Sequence, residues 1–131
     1  MQIKIVSHLL SLLIFVSVNS YAIDTKMTII NHFNQTLHVQ VGINPDVLPN
    51  FPEKFDLAVG AQKSSTVRDT GKEAYLPIST DNPEQSAFFG VEVLDNKTKF
   101  YGYVSKGIAF SWDNETIIFC TPEEYQKKNH C

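Results

Sequence analysis

From residue 26 onward, apolar and polar side chains alternate with a period of two, as in Met27-Thr28-Ile29 and Leu37-His38-Val39-Gln40-Val41. That period belongs to a strand with one buried face, because successive side chains point to opposite sides of a pleated backbone. Nine such segments occur: 26–33, 36–43, 55–59, 63–68, 73–79, 87–94, 99–104, 108–112 and 116–120. Turn-forming residues separate them, among them Gly60-Ala61, Asp69-Thr70-Gly71, Asp81-Asn82-Pro83, Asn96-Lys97 and Asp113-Asn114-Glu115. Short strands at regular spacing, with no long helical period between them, predict an all-β fold: a small antiparallel β-sandwich or small barrel.

One helix is signalled. Thr121-Pro122-Glu123-Glu124 offers an N-cap threonine, proline at the first helical position and glutamate at the third, and Lys127 and Lys128 suit its C-terminal end. The two cysteines bracket it, Cys120 and Cys131, with ten residues between. The predicted pairing ties this short C-terminal helix to the last strand.

The N-terminus breaks the pattern. Met1-Gln2-Ile3-Lys4 carries one positive charge, residues 5–18 are almost wholly apolar, and Ser20-Tyr21-Ala22 supplies small residues at the positions a signal peptidase inspects. The apolar run is too short to span a bilayer, which takes about 20 residues. Residues 1–22 are therefore predicted to be a signal peptide and residues 23–131 a single exported domain, periplasmic or extracellular. No second long apolar run follows, so no membrane span is expected in the mature chain.

Composition narrows the classes further. With 43% hydrophobic, 19% charged and 11% aromatic residues in 131, the chain is neither disordered nor coiled-coil nor a disulfide-dense mini-protein. Loss of Lys4 with the signal leaves ten basic against fourteen acidic side chains, a net charge of −4. The longest basic cluster is Lys127-Lys128. Phosphate-backbone recognition needs clustered cations, so no nucleic-acid partner is expected.

Two segments carry apolar side chains that the core pattern does not absorb at once. The first is residues 44–53, where Pro45, Pro49 and Pro52 forbid a central strand and stiffen a loop bearing Val47, Leu48 and Phe51. These three form either a lid over one end of the core or a preorganised partner contact. The second is the hairpin 87–104. Pairing about Asn96-Lys97 puts Phe89, Val91, Val93, Phe100 and Val104 on one face, which is core. Phe88, Glu92, Leu94, Tyr101 and Tyr103 fall on the other, with Gly90 opposite Tyr103. Aromatics beside a glycine and a carboxylate can stack a sugar ring or a partner's side chain. A covering loop, or Trp112, would make the same residues structural.

Catalytic and metal motifs are sparse. No G-x-S-x-G, H-E-x-x-H or Gly-rich phosphate loop is present. Asp113 and Glu115 beside Trp112 can be drawn as a glycosidase pair, though they also read as an ordinary turn. His32 and His38 flank the first predicted turn, and a three-residue loop would oppose them, but a zinc site needs a third ligand. Asn34-Gln35-Thr36, Asn96-Lys97-Thr98 and Asn114-Glu115-Thr116 are glycan-acceptor triplets that also sit at predicted turns.

The expectation is a small exported, non-catalytic binding protein without a cofactor. Its ligand is a glycan or a protein, held through Phe88, Glu92, Tyr101 and Tyr103 with Val47, Leu48 and Phe51. The alternatives are an inhibitor of a secreted or host hydrolase that uses loop 44–53 as a wedge, a small hydrolase, and a structural subunit of an envelope assembly.

Overall fold

The computed structural model describes residues 22–131, and of Tyr103 the backbone alone. The predicted signal peptide lies outside the described residues apart from Ala22. The chain forms β1 (Thr25–Asn31), β2 (Leu37–Gln40), a 3-10 turn (Pro45–Val47), β3 (Lys54–Leu57), β4 (Gln62–Val67), β5 (Ala74–Ser79), β6 (Ser86–Leu94), β7 (Lys97–Lys106), β8 (Ala109–Asp113), β9 (Thr116–Cys120) and helix α1 (Pro122–Lys128). Two sheets face each other, β4-β1-β9-β8 and β3-β2-β5-β6-β7. This is the sandwich that the period-two pattern predicts.

The core lies between the sheets. Met27 and Ile29 of β1 and Ile117 and Phe119 of β9 point in from one side. Leu37 and Val39 of β2, Leu76 and Ile78 of β5, and Phe89 and Val91 of β6 point in from the other. Burying each large aliphatic or aromatic side chain contributes roughly 1.5–3 kcal/mol, so this alternation is what drives the two faces together. Thr98 of β7 adds a polar tie across the layers: its hydroxyl donates to the carbonyl of Lys26 at 2.6 Å.

Two expectations about pairing are corrected. Strands β1 and β9 run parallel, so the sandwich is not antiparallel throughout. Nor do the first two strands form a hairpin. β1 pairs with β4 and β9, while β2 pairs with β3 and β5. The chain crosses from one sheet to the other over residues 32–36. Asn31 makes that crossing possible. Its buried side chain donates to the carbonyls of Gln35 (2.9 Å) and Leu57 (2.8 Å) and accepts from the amide of Phe33 (2.8 Å). The backbone groups that the crossing takes out of both ladders thereby gain partners.

At the C-terminus, Thr121 caps α1 by accepting from the amide of Glu124 (3.2 Å), Pro122 holds the first helical position, and Asn129 ends the helix at φ 62°. Cys120 and Cys131 are bonded, with their Cα atoms 5.5 Å apart. Among the described residues, no helix is long and apolar enough to cross a membrane.

Candidate functional site

Loop 44–53 resolves as a lid. Val47 and Leu48 have no exposed surface and Phe51 is buried against Phe55 (ring centroids 5.1 Å). The loop is stitched along the outer edge of β4: the carbonyl of Val47 accepts from Arg68 (2.9 Å), and the Asn50 side chain accepts from the amide of Thr66 (2.8 Å). The prolines stiffen the loop, but its apolar side chains turn inward because burial against the core outweighs any exposed alternative. A wedge built of Val47, Leu48 and Phe51 is corrected on that ground, since no partner reaches them in this conformation.

The hairpin keeps its face assignment and changes its turn. Asp95 and Asn96, at φ 53° and 62°, form the two-residue loop, one position earlier than Asn96-Lys97. Both positions of such a turn need positive φ, which Asp and Asn tolerate and Lys does not. Val91 therefore opposes Phe100, and Gly90 opposes Tyr101 rather than Tyr103. The register shift preserves parity, so Phe89, Val91 and Phe100 still face the core. An irregularity between Phe88 and Phe89 then moves the far end of β7. Val104 pairs with Phe88 and stands 62% exposed, which corrects its placement in the core.

Phe88, Glu92 and Tyr101 share the outer face of the five-stranded sheet. The Tyr101 hydroxyl donates to Glu92. Tyr75 of β5 joins them: its ring lies 5.4 Å from that of Phe88 and packs over Gly90, where a Cβ would fall 3.1 Å from the Tyr75 ring. The glycine thus lets the tyrosine lie close against the sheet, where a Cβ would push the ring outward by a few tenths of an ångström. Trp112 does not cover this surface. It packs on the core side of β7, over Gly102 and beside Phe110 (ring centroids 5.8 Å). Of the sequence-derived candidates, Phe88, Glu92 and Tyr101 come together. Val47, Leu48 and Phe51 lie apart from them.

Beside the aromatic row runs a groove of about 520 Å³, within the roughly 300–1,000 Å³ range of small-molecule sites. Pro77, Phe88 and Val104 give it an apolar floor, and His38, Lys54 and Asp56 give it a charged end. The β2–β5 ladder runs through His38↔Ser79 and Val39↔Ile78 and loses a bond where Gln40 would face Pro77, which has no N–H to donate. The chain stays beside β5, and the Gly42 amide donates to the Tyr75 carbonyl at 2.6 Å.

His38 was legible only as a strand histidine or half of a metal pair. In the fold it is clamped: Nδ1 bonds Asp56 at 2.7 Å and Nε2 bonds Asp81 at 2.8 Å. The Asp56 hydrogen bond first, then that of Asp81, holds its pKa above the ordinary imidazole value of 6.5. Neither aspartate is near His38 in sequence, so no local motif marks the cluster. His32 sits on the far side of the β1–β2 crossing and is exposed. Among the described residues, no three His, Cys, Asp or Glu side chains converge to hold a metal. Asp113 and Glu115 are exposed in the β8–β9 turn, and Asn34, Asn96 and Asn114 are exposed as well.

An apolar floor with polar walls can hold a flat, hydroxyl-bearing body by stacking and hydrogen bonding together. No protein family, curated protein or solved structure matches the chain.

Proposed function

We propose that this is an exported, non-catalytic binding protein that holds a glycan across the outer face of its five-stranded sheet. The observation that carries the reading is the row of half-buried aromatics Tyr75, Phe88 and Tyr101 on the outer sheet face, beside a groove rimmed by hydrogen-bonding side chains. A sugar presents an apolar face of C–H groups to an aromatic ring and hydroxyl groups to the rim, and both surfaces stand side by side here. Export is supported by the N-terminal signal pattern. The Cys120–Cys131 bond is consistent with an oxidising destination.

A glycan array followed by calorimetry tests the reading. Phe88→Ala and Tyr101→Ala should each weaken binding by roughly five- to thirtyfold, because a stacked aromatic contributes on the order of 1–2 kcal/mol. Melting temperatures should fall little, since both side chains are only partly buried. Intact binding combined with lost stability would make the aromatics structural and end the platform reading.

A second reading, a small hydrolase, draws on one observation: His38 in the groove has a raised pKa and stands across the ladder from Ser79. To act as a base toward Ser79, the imidazole would have to release Asp81 from Nε2. Turnover of esters or glycosides abolished by Ser79→Ala would favour it over binding.

A further inference from the structure

We propose that His38 is a proton-operated latch at one end of this groove: its second proton ties Asp81 to the imidazole, and loss of that proton frees Asp81 and Nε2 to take ligand hydroxyl groups. The proposal rests on the glycan reading for its ligand, and on the free protein alone for the latch.

The clamp joins three elements through one ring. Asp56 comes from β3, His38 from β2, and Asp81 from the turn after β5. The other charged side chain beside the imidazole in the groove wall is Lys54 of β3, while β5 and β6 contribute the uncharged Ser79 and Ser86. Both ring nitrogens can donate only while the imidazole carries two protons. A neutral ring has one N–H, so one of the two carboxylates then faces a lone pair and is repelled.

Which aspartate is released follows from the backbone. Asp56 is the direct cross-strand partner of His38, so the ladder holds its carboxylate at Nδ1. The Asp81 side chain is 96% exposed. Its turn keeps its shape without it: Thr80 Oγ1 donates to Gln85 (2.7 Å), and the Asn82 amide donates to Thr80 Oγ1 (3.0 Å). Deprotonation therefore frees the Asp81 side chain without unfolding the turn. The groove end gains a carboxylate and a lone pair as acceptors, and its charge becomes more negative by one. A neutral sugar meets no Coulomb penalty from that change and finds more acceptors for its hydroxyl groups. Its affinity should rise by roughly three- to tenfold across the His38 midpoint, the effect of about one additional hydrogen bond.

Proton NMR of the His38 ring in the ligand-free protein is the first test. The midpoint should lie above 6.5, the Asp81 side-chain signals should shift with the same midpoint, and Asp81→Asn should lower it. An ordinary midpoint, or one that Asp81→Asn leaves in place, overturns the latch. The second test is calorimetry with maltotriose, cellotriose and chitotriose on both sides of that midpoint, where His38→Gln should abolish any pH dependence of binding. Equal affinity on both sides overturns the gating. If none of the three binds while the NMR behaviour holds, the latch stands as a property of the free protein and the glycan reading of the groove falls.

Discussion

Asn31→Ala is the sharpest test of how the two sheets are joined. The side chain has no exposed surface and makes three hydrogen bonds, two donated by Nδ2 and one accepted by Oδ1. Alanine removes all three, so the Phe33 amide loses its acceptor and the Gln35 and Leu57 carbonyls each lose a donor. A net loss of about 1 kcal/mol per bond gives a floor near 3 kcal/mol, and each buried group left unsatisfied adds to it unless water enters the vacated volume. We expect a destabilisation of about 3–4 kcal/mol. For a domain of this size, 1 kcal/mol shifts the melting temperature by roughly 4 °C, so the expected fall is at least about 12 °C. Urea denaturation followed by circular dichroism measures it, with the slope unchanged if only stability is altered. Hydrogen exchange at the Phe33 amide should accelerate well beyond the global change. Asn31→Asp gives an independent arm. It keeps the acceptor but aims a buried carboxylate at two carbonyl oxygens, so that variant should become more stable as pH falls and the carboxyl gains a proton. A loss below about 1 kcal/mol in the alanine variant, or no acid rescue in the aspartate variant, would refute the claim that this side chain secures the crossing.

Other consequences are open to the same instruments. Leu48→Ala should cost about 3 kcal/mol in urea melts while leaving sugar affinity unchanged, because Leu48 is not part of the groove lining; an affinity loss in a folded variant would contradict that separation. Gly102→Val places a Cβ 2.7 Å from Phe110 and 3.2 Å from Trp112, and should lower stability by about 1–3 kcal/mol with a change in tryptophan fluorescence. Reducing the Cys120–Cys131 bond opens a short loop and should cost roughly 2–3 kcal/mol, with faster exchange confined to α1 and the end of β9. The His38 clamp stabilises the fold fully below about pH 6.5, the ordinary imidazole value, and its contribution is lost as pH rises through the higher midpoint of the folded protein. The gap between the urea midpoints of the parent and His38→Gln should therefore narrow as pH rises through that midpoint, and a gap that does not change with pH would count against the linkage.

The alternation of side chains is enough to place nine strands, a capped C-terminal helix and, Val104 excepted, the inward-facing hairpin residues, because period-two burial and N-cap chemistry are local properties of the chain. Phe88, Glu92 and Tyr101 fell on one face for the same reason: even a misplaced turn left the parity of the hairpin intact. Beyond the 87–104 hairpin, pairing partners between distant strands were not legible. A strand pattern says which side chains go inward, but not which neighbour the strand meets or in which direction. So the parallel β1–β9 pair and the Asn31 crossing appear only in the fold. The inward turn of Val47, Leu48 and Phe51 depended on an open core end that no local pattern describes. The groove and its clamp are tertiary in the same sense. Pro77 interrupts a ladder only once β2 lies beside it, and His38 gains Asp56 and Asp81 only when β3 and the turn after β5 converge on it. Local chemistry determined the elements and their faces, while long-range pairing decided which faces stayed open and which charges met.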